Sequence, residues 1–464
     1  VLDMDPANGH AILALEALYE QSEEWMELVE VLGRKADVAN TPQERVAALK
    51  KQGLIQHERL DASIDAIETF LVVHSVDGED VDAMRTLDRF YGSVEDWTSQ
   101  YDILAKIYER VEGEDRLTMR FRMGRLLEQN LGDPYKAIEI YRDLLAEFPD
   151  NVEAVDALEG MVRAGDAAEP AFAVLKPILA NRAEWQRLYV NYEVLTEREH
   201  DPVRKVANLV TMGEIAQNQM NQPISGFECF GKAFTTDPLN RDVLERVYSL
   251  AESFDMWHDV PALLQEAAAE IEGMPQALEL LLQAGAVLRD RLENREAAIE
   301  VFESILKDFS DNMTALDALD ELYSGLEKWE DQIRILRFKY DVKFDPEAKI
   351  QVLLRLADVC EFKVNRTQDA LEARQEALYL HPGQPQAVLE LRRMFDEGKH
   401  LDQILEILEP IYQESGAYSD LATIYEASLV AIEDPDHRKE TLLKLAEVWA
   451  QNLGEGVTAL GWFG

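Results

Sequence analysis

The sequence predicts an all-α solenoid of antiparallel helix pairs, and three recurrences predict it. A small residue stands at Gly53, Gly124, Gly213, Gly285, Ala357 and Ala446. Thirteen positions after each comes a second one, at Ala66, Ala137, Gly226, Ala298, Ala370 and Ala459. Four positions further on stand Phe70, Tyr141, Phe230, Phe302 and Phe463, with Arg374 as the exception. A separate aromatic anchor recurs at Trp25, Trp97, Trp185, Trp257, Trp329 and Tyr418. Self-similarity at fixed spacing marks a stacked-repeat architecture. Such arrays offer extended surfaces for binding.

The second small residues are 71, 89, 72, 72 and 89 positions apart, and the anchors 72, 88, 72, 72 and 89. Both series follow a 72, 72, 89 rhythm that forms a 233-residue super-repeat present twice. Residues 1–231 and 232–464 are therefore expected to be the two super-repeats of one continuous solenoid. Within a 72-residue unit the pattern predicts four helices. The first, over 315–326, carries Leu316, Leu319, Leu322 and Tyr323 at helical spacing. Trp329 opens the second, with Ile333, Leu336 and Tyr340 on one face. Asp345-Pro346 breaks the pattern, since proline suits a first helical turn. Leu353, Leu354, Leu356 and Ala357 mark the third. The fourth runs over 368–380 and stops before His381-Pro382-Gly383. Short connections fold each helix back on its predecessor. The 89-residue units hold about 17 extra residues before their anchor, near 168–182 and around Ile404 to Ile411. Each extra stretch is apolar enough for one buried helix, kinked or broken at Pro177 or Pro410.

The third and fourth helices of each unit resemble tetratricopeptide repeats. Gly213, Gly226, Phe230, Ala233 and Pro238 follow that pattern, with one extra residue in the turn. Gly124, Ala137, Tyr141 and Pro149 follow it, as do Ala357, Ala370, Ala377 and Pro382. Arg374 departs from it, and the first-helix Trp and Tyr of the pattern are mostly absent, so the copies are divergent. The resemblance implies a right-handed, TPR-like α-solenoid. It also implies that first helices line a concave partner-binding face. The polar residues placed there are His57, Arg125, Glu128, Glu214, Gln217, Arg289, Asp358, Glu361 and Glu447. This set leans acidic and lacks the Lys and Asn arrangement that clamps a carboxylate tail in some relatives.

The chain carries 90 acidic and 46 basic residues, a formal charge of −44. That balance argues against nucleic acid, which needs a basic footprint, and against anionic membrane surfaces. It serves solubility, or attracts partners with basic surfaces. No run of 18 apolar residues is present, so no direct membrane insertion is expected. Cys229 and Cys360 lie far apart and are expected to be small core residues. They leave the compartment open, with the cytoplasm favoured and the periplasm or cell envelope as the alternative. Residues 458–464 enter the second helix of a repeat and end inside it, so a longer parent protein is expected.

No metal-spaced histidine pair, nucleotide loop or nucleophile elbow occurs, so no catalytic, cofactor or metal residue is assigned. The Trp anchors are expected in the core. The sequence thus points to a non-enzymatic scaffold or adaptor that organises partner proteins in a larger assembly. The alternative is a regulatory or sensory repeat region attached to a catalytic domain outside this segment.

Overall fold

The computed structural model describes residues 8–165, 167–432 and 434–463, without the side chains of 431 and 463. The expected aromatic contact of Phe463 therefore lies outside the described residues. Helix is the only regular structure among them. Their contacts divide the chain into two compact units that meet between Ala233 and Phe234.

The first unit contains α1 (Gly9–Ser22), α2 (Trp25–Asp37), α3 (Pro42–Glu58), α4 (Ser63–Val76), α5 (Val81–Ser93) and α6 (Trp97–Arg110). It continues with α7 (Gly113–Gln129), α8 (Pro134–Glu147), α9 (Val152–Ala164), α10 (Ala168–Asn181), α11 (Trp185–Arg198), α12 (Pro202–Asn218) and the start of α13 (Pro223–Thr236). The second unit holds α14 (Arg241–Phe254), a 3-10 turn at Trp257–Asp259, α15 (Val260–Glu270), α16 (Pro275–Asp290), α17 (Arg295–Asp308), α18 (Met313–Gly325) and α19 (Trp329–Val342). After these come α20 (Pro346–Phe362), α21 (Thr367–Leu380), α22 (Pro385–Asp396), α23 (Leu401–Ser415), α24 (Tyr418–Ala431), α25 (Pro435–Glu447) and α26 (Gly456–Phe463). The two extra stretches form the single helices α10 and α23, each running through its proline without a break.

Local chemistry starts and stops these helices at fixed register. Asn8, Asp80, Asn151, Asn240, Asn312 and Gln384 cap α1, α5, α9, α14, α18 and α22. Each side chain accepts a hydrogen bond from a backbone N–H three residues on, a donor the helix cannot itself satisfy. Two turns per repeat then use the left-handed conformation. One lies two residues before each aromatic anchor, at Glu23, Glu95, Ala183, Asp255, Glu327 and Gly416. The other lies eight residues after each small residue, at Asp61, Gly132, Asn221, Glu293, Asn365 and Gly454. Left-handed residues end helices by turning the chain back across its own last carbonyls.

The third and fourth helices lock by shape. A Cβ placed on Gly53 would stand 2.6 Å from the Phe70 ring, and on Gly124 2.6 Å from Tyr141. On Gly213 it would stand 2.7 Å from Phe230, and on Gly285 2.6 Å from Phe302. Each ring lies where a methyl group would be, and Phe70, Tyr141, Phe230 and Phe302 are at most 2% exposed. Ala357 keeps its Cβ, and the matching position holds Arg374 instead of a ring. In the five repeats whose side chain at this position is described, glycine goes with the ring and alanine with the thinner guanidinium.

Buried carboxylates pin neighbouring helices. Asp88 on α5 accepts Gln100 of α6 at 2.9 Å and Arg122 of α7 at 2.7 Å. Asp320 on α18 accepts Gln332 of α19 at 2.8 Å, Lys339 at 2.9 Å and Arg355 of α20 at 3.0 Å. Glu159 on α9 takes Arg187 at 2.9 Å and Asn191 at 3.0 Å, both from α11. Such groups satisfy one another in one register only, and removing one partner leaves a buried charge.

The aromatic anchors do not sit in the core as expected. Five of them open a helix, Trp257 opens the 3-10 turn, and all six are half-buried. Trp329 packs against core residues on one side, and its ring lies beneath Lys363 Nζ, 4.9 Å from the centroid. Arg59 covers Trp25 at 4.9 Å and Arg291 covers Trp257 at 4.8 Å in the same way. These three anchors are seats for the cation that ends the neighbouring helix. Cys229 and Cys360 are buried and unpaired, as expected.

The lock makes one substitution act in opposite directions. Gly124→Ala on α7 is expected to destabilise by about 1–2 kcal/mol, because overpacking outweighs the better helix propensity. Gly160→Ala on α9, where nothing lies within 4 Å of the new methyl, is expected to stabilise by up to about 1 kcal/mol. Urea midpoints of the two variants against wild type check both signs.

Candidate partner-binding surfaces

The residues expected on the first-helix face all lie on α3, α7, α12, α16, α20 and α25. Only Arg125 and Glu447 of the nine are exposed. His57 is half-buried, 3.0 Å from Ser63 Oγ, with its ring 4.3 Å from that of Phe90. Glu128 accepts the Tyr141 hydroxyl at 2.8 Å. Glu214 and Gln217 are half-buried. Arg289 pairs with Asp290 at 2.7 Å, and Asp358 accepts Arg374 at 3.2 Å.

Glu361 corrects the expectation outright, because it is buried. Its carboxylate accepts Arg374 at 2.6 Å, Arg393 at 2.7 Å and Lys399 at 3.2 Å. The reason is geometric. Position four after the small residue lies beneath position seventeen of the same hairpin, as the Glu128–Tyr141 and Glu361–Arg374 contacts both show. A side chain there meets the second helix before it meets a partner.

Burial alone would raise the Glu361 pKa, but the hydrogen bonds from Arg393 and Arg374, with the Arg374 charge, outweigh it. The carboxyl is held below its usual 4.5. This knot joins α20, α21, α22 and the turn into α23. It stands where the glycine–ring lock is missing.

The second unit also opens a groove that the sequence did not mark. It has a volume of about 540 Å³ and lies between α21 and α23, with no lining residue from α20. Leu371 and Leu378 are buried in its floor, Ile407 and Ile411 are half-buried, and Tyr379 is 78% exposed. A hydrogen bond between Thr367 Oγ1 and His400 Nε2, at 2.8 Å, ties the starts of the two helices together. In the first unit the corresponding helix α10 packs against α8. In the second, α23 packs on α22 and α24, and the space beside α21 stays open. The sequence showed α23 as a helix, but the gap depends on packing between non-adjacent helices.

Among the described residues, no group of His, Cys, Asp and Glu is placed to hold a metal ion, and no helix is long and apolar enough to cross a membrane. The buried carboxylates are engaged by Arg, Lys, Gln and Asn donors and belong to the packing.

The tetratricopeptide-repeat family model matches residues 119–151, which cover most of α7 and all of α8. Over that hairpin the chain is similar to the tetratricopeptide-repeat family, and the helix hairpins around it are TPR-like in form. No curated protein matches it. Similar solved structures include one described as Naa15/Naa10 bound to HypK-THB, at 14% identity over 90% of this chain and 68% of that chain, with a TM-score of 0.25. Yeast Tom70 is similar at 14% identity over 89% of this chain and 97% of that chain, with a TM-score of 0.23.

The charge knot has a pH signature. A carboxyl with a depressed folded-state pKa stabilises the fold fully above its unfolded value, and this contribution fades as pH falls through the folded one. Glu361→Gln is expected to be less stable than wild type at neutral pH by about 3 kcal/mol, because Arg374 is left buried without its main counter-charge. The gap is expected to narrow steadily below pH 4.5, the usual glutamate value. Urea titrations of both proteins across the acid range check this, and a gap independent of pH contradicts it.

Proposed function

We propose that the chain is a non-enzymatic scaffold whose helical-repeat surface holds other proteins together in a larger assembly. The observation that carries this reading is the repeat itself. Helix hairpins fill the described residues, and their buried polar groups bind one another across successive helices. What they leave to solvent is helix faces and a surface groove. That division of labour suits a protein that positions partners. The fold type is in most cases an interaction scaffold, although a repeat protein can also be a subunit of an enzyme assembly.

The acid-rich exterior supports partners with basic surfaces. Opposite charges speed encounter more than they add affinity, and salt screens them beyond about 8 Å at physiological ionic strength. On the first-helix face, Glu214 is half-buried on α12 and Glu447 is exposed on α25. Capture of partners from native lysate is expected to be saturable and weaker at high salt. Glu214→Lys/Glu447→Lys is expected to slow association several-fold while leaving the melting temperature near wild type. Partners retained equally at all salt concentrations and by the double variant would contradict the electrostatic part of the reading. Absence of any saturable partner would contradict the scaffold reading.

A further inference from the structure

We propose that the groove between α21 and α23 docks an amphipathic α-helix of another protein, with its apolar stripe in the groove and Lys or Arg at the open end. This rests on the scaffold reading and names a site and a partner chemistry for it.

The walls define the occupant. On α23 the groove is lined by Gln403, Glu406, Ile407, Pro410, Ile411 and Glu414, one unbroken helical stripe. On α21 Leu371, Gln375, Leu378 and Tyr379 form the facing stripe. Helix α21 has 14 residues, so the wall extends for about 21 Å at 1.5 Å per residue. Both walls are helices, so they offer no sheet edge to an extended strand. An occupant must satisfy its own backbone, and a helix does so. The floor is apolar along the middle, which suits anchors spaced three and four residues apart.

Charge gives the occupant a direction. The Thr367–His400 bond joins the two helix starts, so α21 and α23 run in the same sense and end together. Two negative helix ends therefore point the same way, and neither last turn contains a basic residue. Exposed Glu414 lies in that last turn of α23, and exposed Glu406 stands two turns earlier. Helix α23 carries Asp402, Glu406, Glu409 and Glu414 and no Lys or Arg. Lys444 pairs with Glu409 of α23, which is outside the groove lining, at 3.2 Å, and Arg374 is buried in the knot. The groove is thus apolar along its floor, with Gln and Glu side chains on its rim and no basic residue in its lining.

The test uses the full chain and a fluorescein-labelled synthetic helix with Leu at positions i, i+3, i+4 and i+7 and Lys elsewhere. Two controls carry Glu in place of Lys, or the same residues scrambled out of helical register. The Leu/Lys helix is expected to bind saturably, and each control at least tenfold more weakly. Glu406→Lys/Glu414→Lys, both exposed positions, is expected to weaken binding at least tenfold with an unchanged melting curve. Ile411→Gln is expected to weaken it severalfold. Glu139→Lys on α8, an exposed position outside the groove, is expected to leave binding unchanged. Equal loss with Glu139→Lys would mean that binding follows the total charge, which overturns the proposal. So would equal binding of the scrambled peptide, or self-association of the chain that Ile411→Gln abolishes, since the groove would then serve a second copy. Native partners retained by Glu406→Lys/Glu414→Lys, with no Leu/Lys helix bound to wild type, would overturn the groove and leave the scaffold reading standing.

Discussion

The contact on which most of this structure depends is that between a glycine backbone and an aromatic ring seventeen residues away. Glycine in a helix costs on the order of 1 kcal/mol relative to alanine, yet four repeats keep it where the Phe70, Tyr141, Phe230 and Phe302 rings press in. The ring takes the space of the missing methyl group, so the two helices approach at one height and one rotation. That fixes which residues of each hairpin face inward. It also explains the first-helix face, since position four is covered by the same second helix that brings the ring. The partner surface is consequently narrower than a simple count of outward positions suggests.

The repeat without the lock is also where the structure offers a groove. Ala357 stands in place of the glycine, and Arg374 takes the place of the ring, fully buried, with Glu361 and Asp358 as acceptors. Glu361 in turn holds Arg393 of α22 and Lys399 in the turn before α23. Charge replaces shape as the fastener, and it reaches further along the chain. The knot fixes the approach to α23, and the Thr367–His400 bond fixes its first turn. The open space beside α21 is therefore held by named bonds at one end.

Much of the fold was legible because its strongest signals are periodic. Small residues, rings and anchors at fixed spacing gave the helix pairs, and the apolar stretches at 168–182 and around Ile404 to Ile411 gave α10 and α23. Other features had signals that were masked. Nine of these twelve left-handed turn positions hold Glu, Ala, Asp or Asn and three hold Gly, so glycine alone did not mark them. Asp88, Gln100 and Arg122 recur as Asp320, Gln332 and Arg355, but abundant carboxylates hide two that are buried. The Trp anchors kept their register and not their expected depth, because spacing reports a position in the repeat and says nothing of which side is covered. The groove left no sequence trace, since its walls come from helices that are not neighbours in the chain.

The most direct measurement is a double-mutant cycle on Gly285 and Phe302. A Cβ on Gly285 would meet Phe302 Cζ at 2.6 Å. Stability of wild type, Gly285→Ala, Phe302→Ala and the double variant gives the coupling between the two sites. The expected result is that Gly285→Ala destabilises when Phe302 is present and is neutral or stabilising once the ring is gone. If Gly285→Ala has the same effect in both backgrounds, the ring does not require the glycine, and the lock is not what sets the geometry of the repeat.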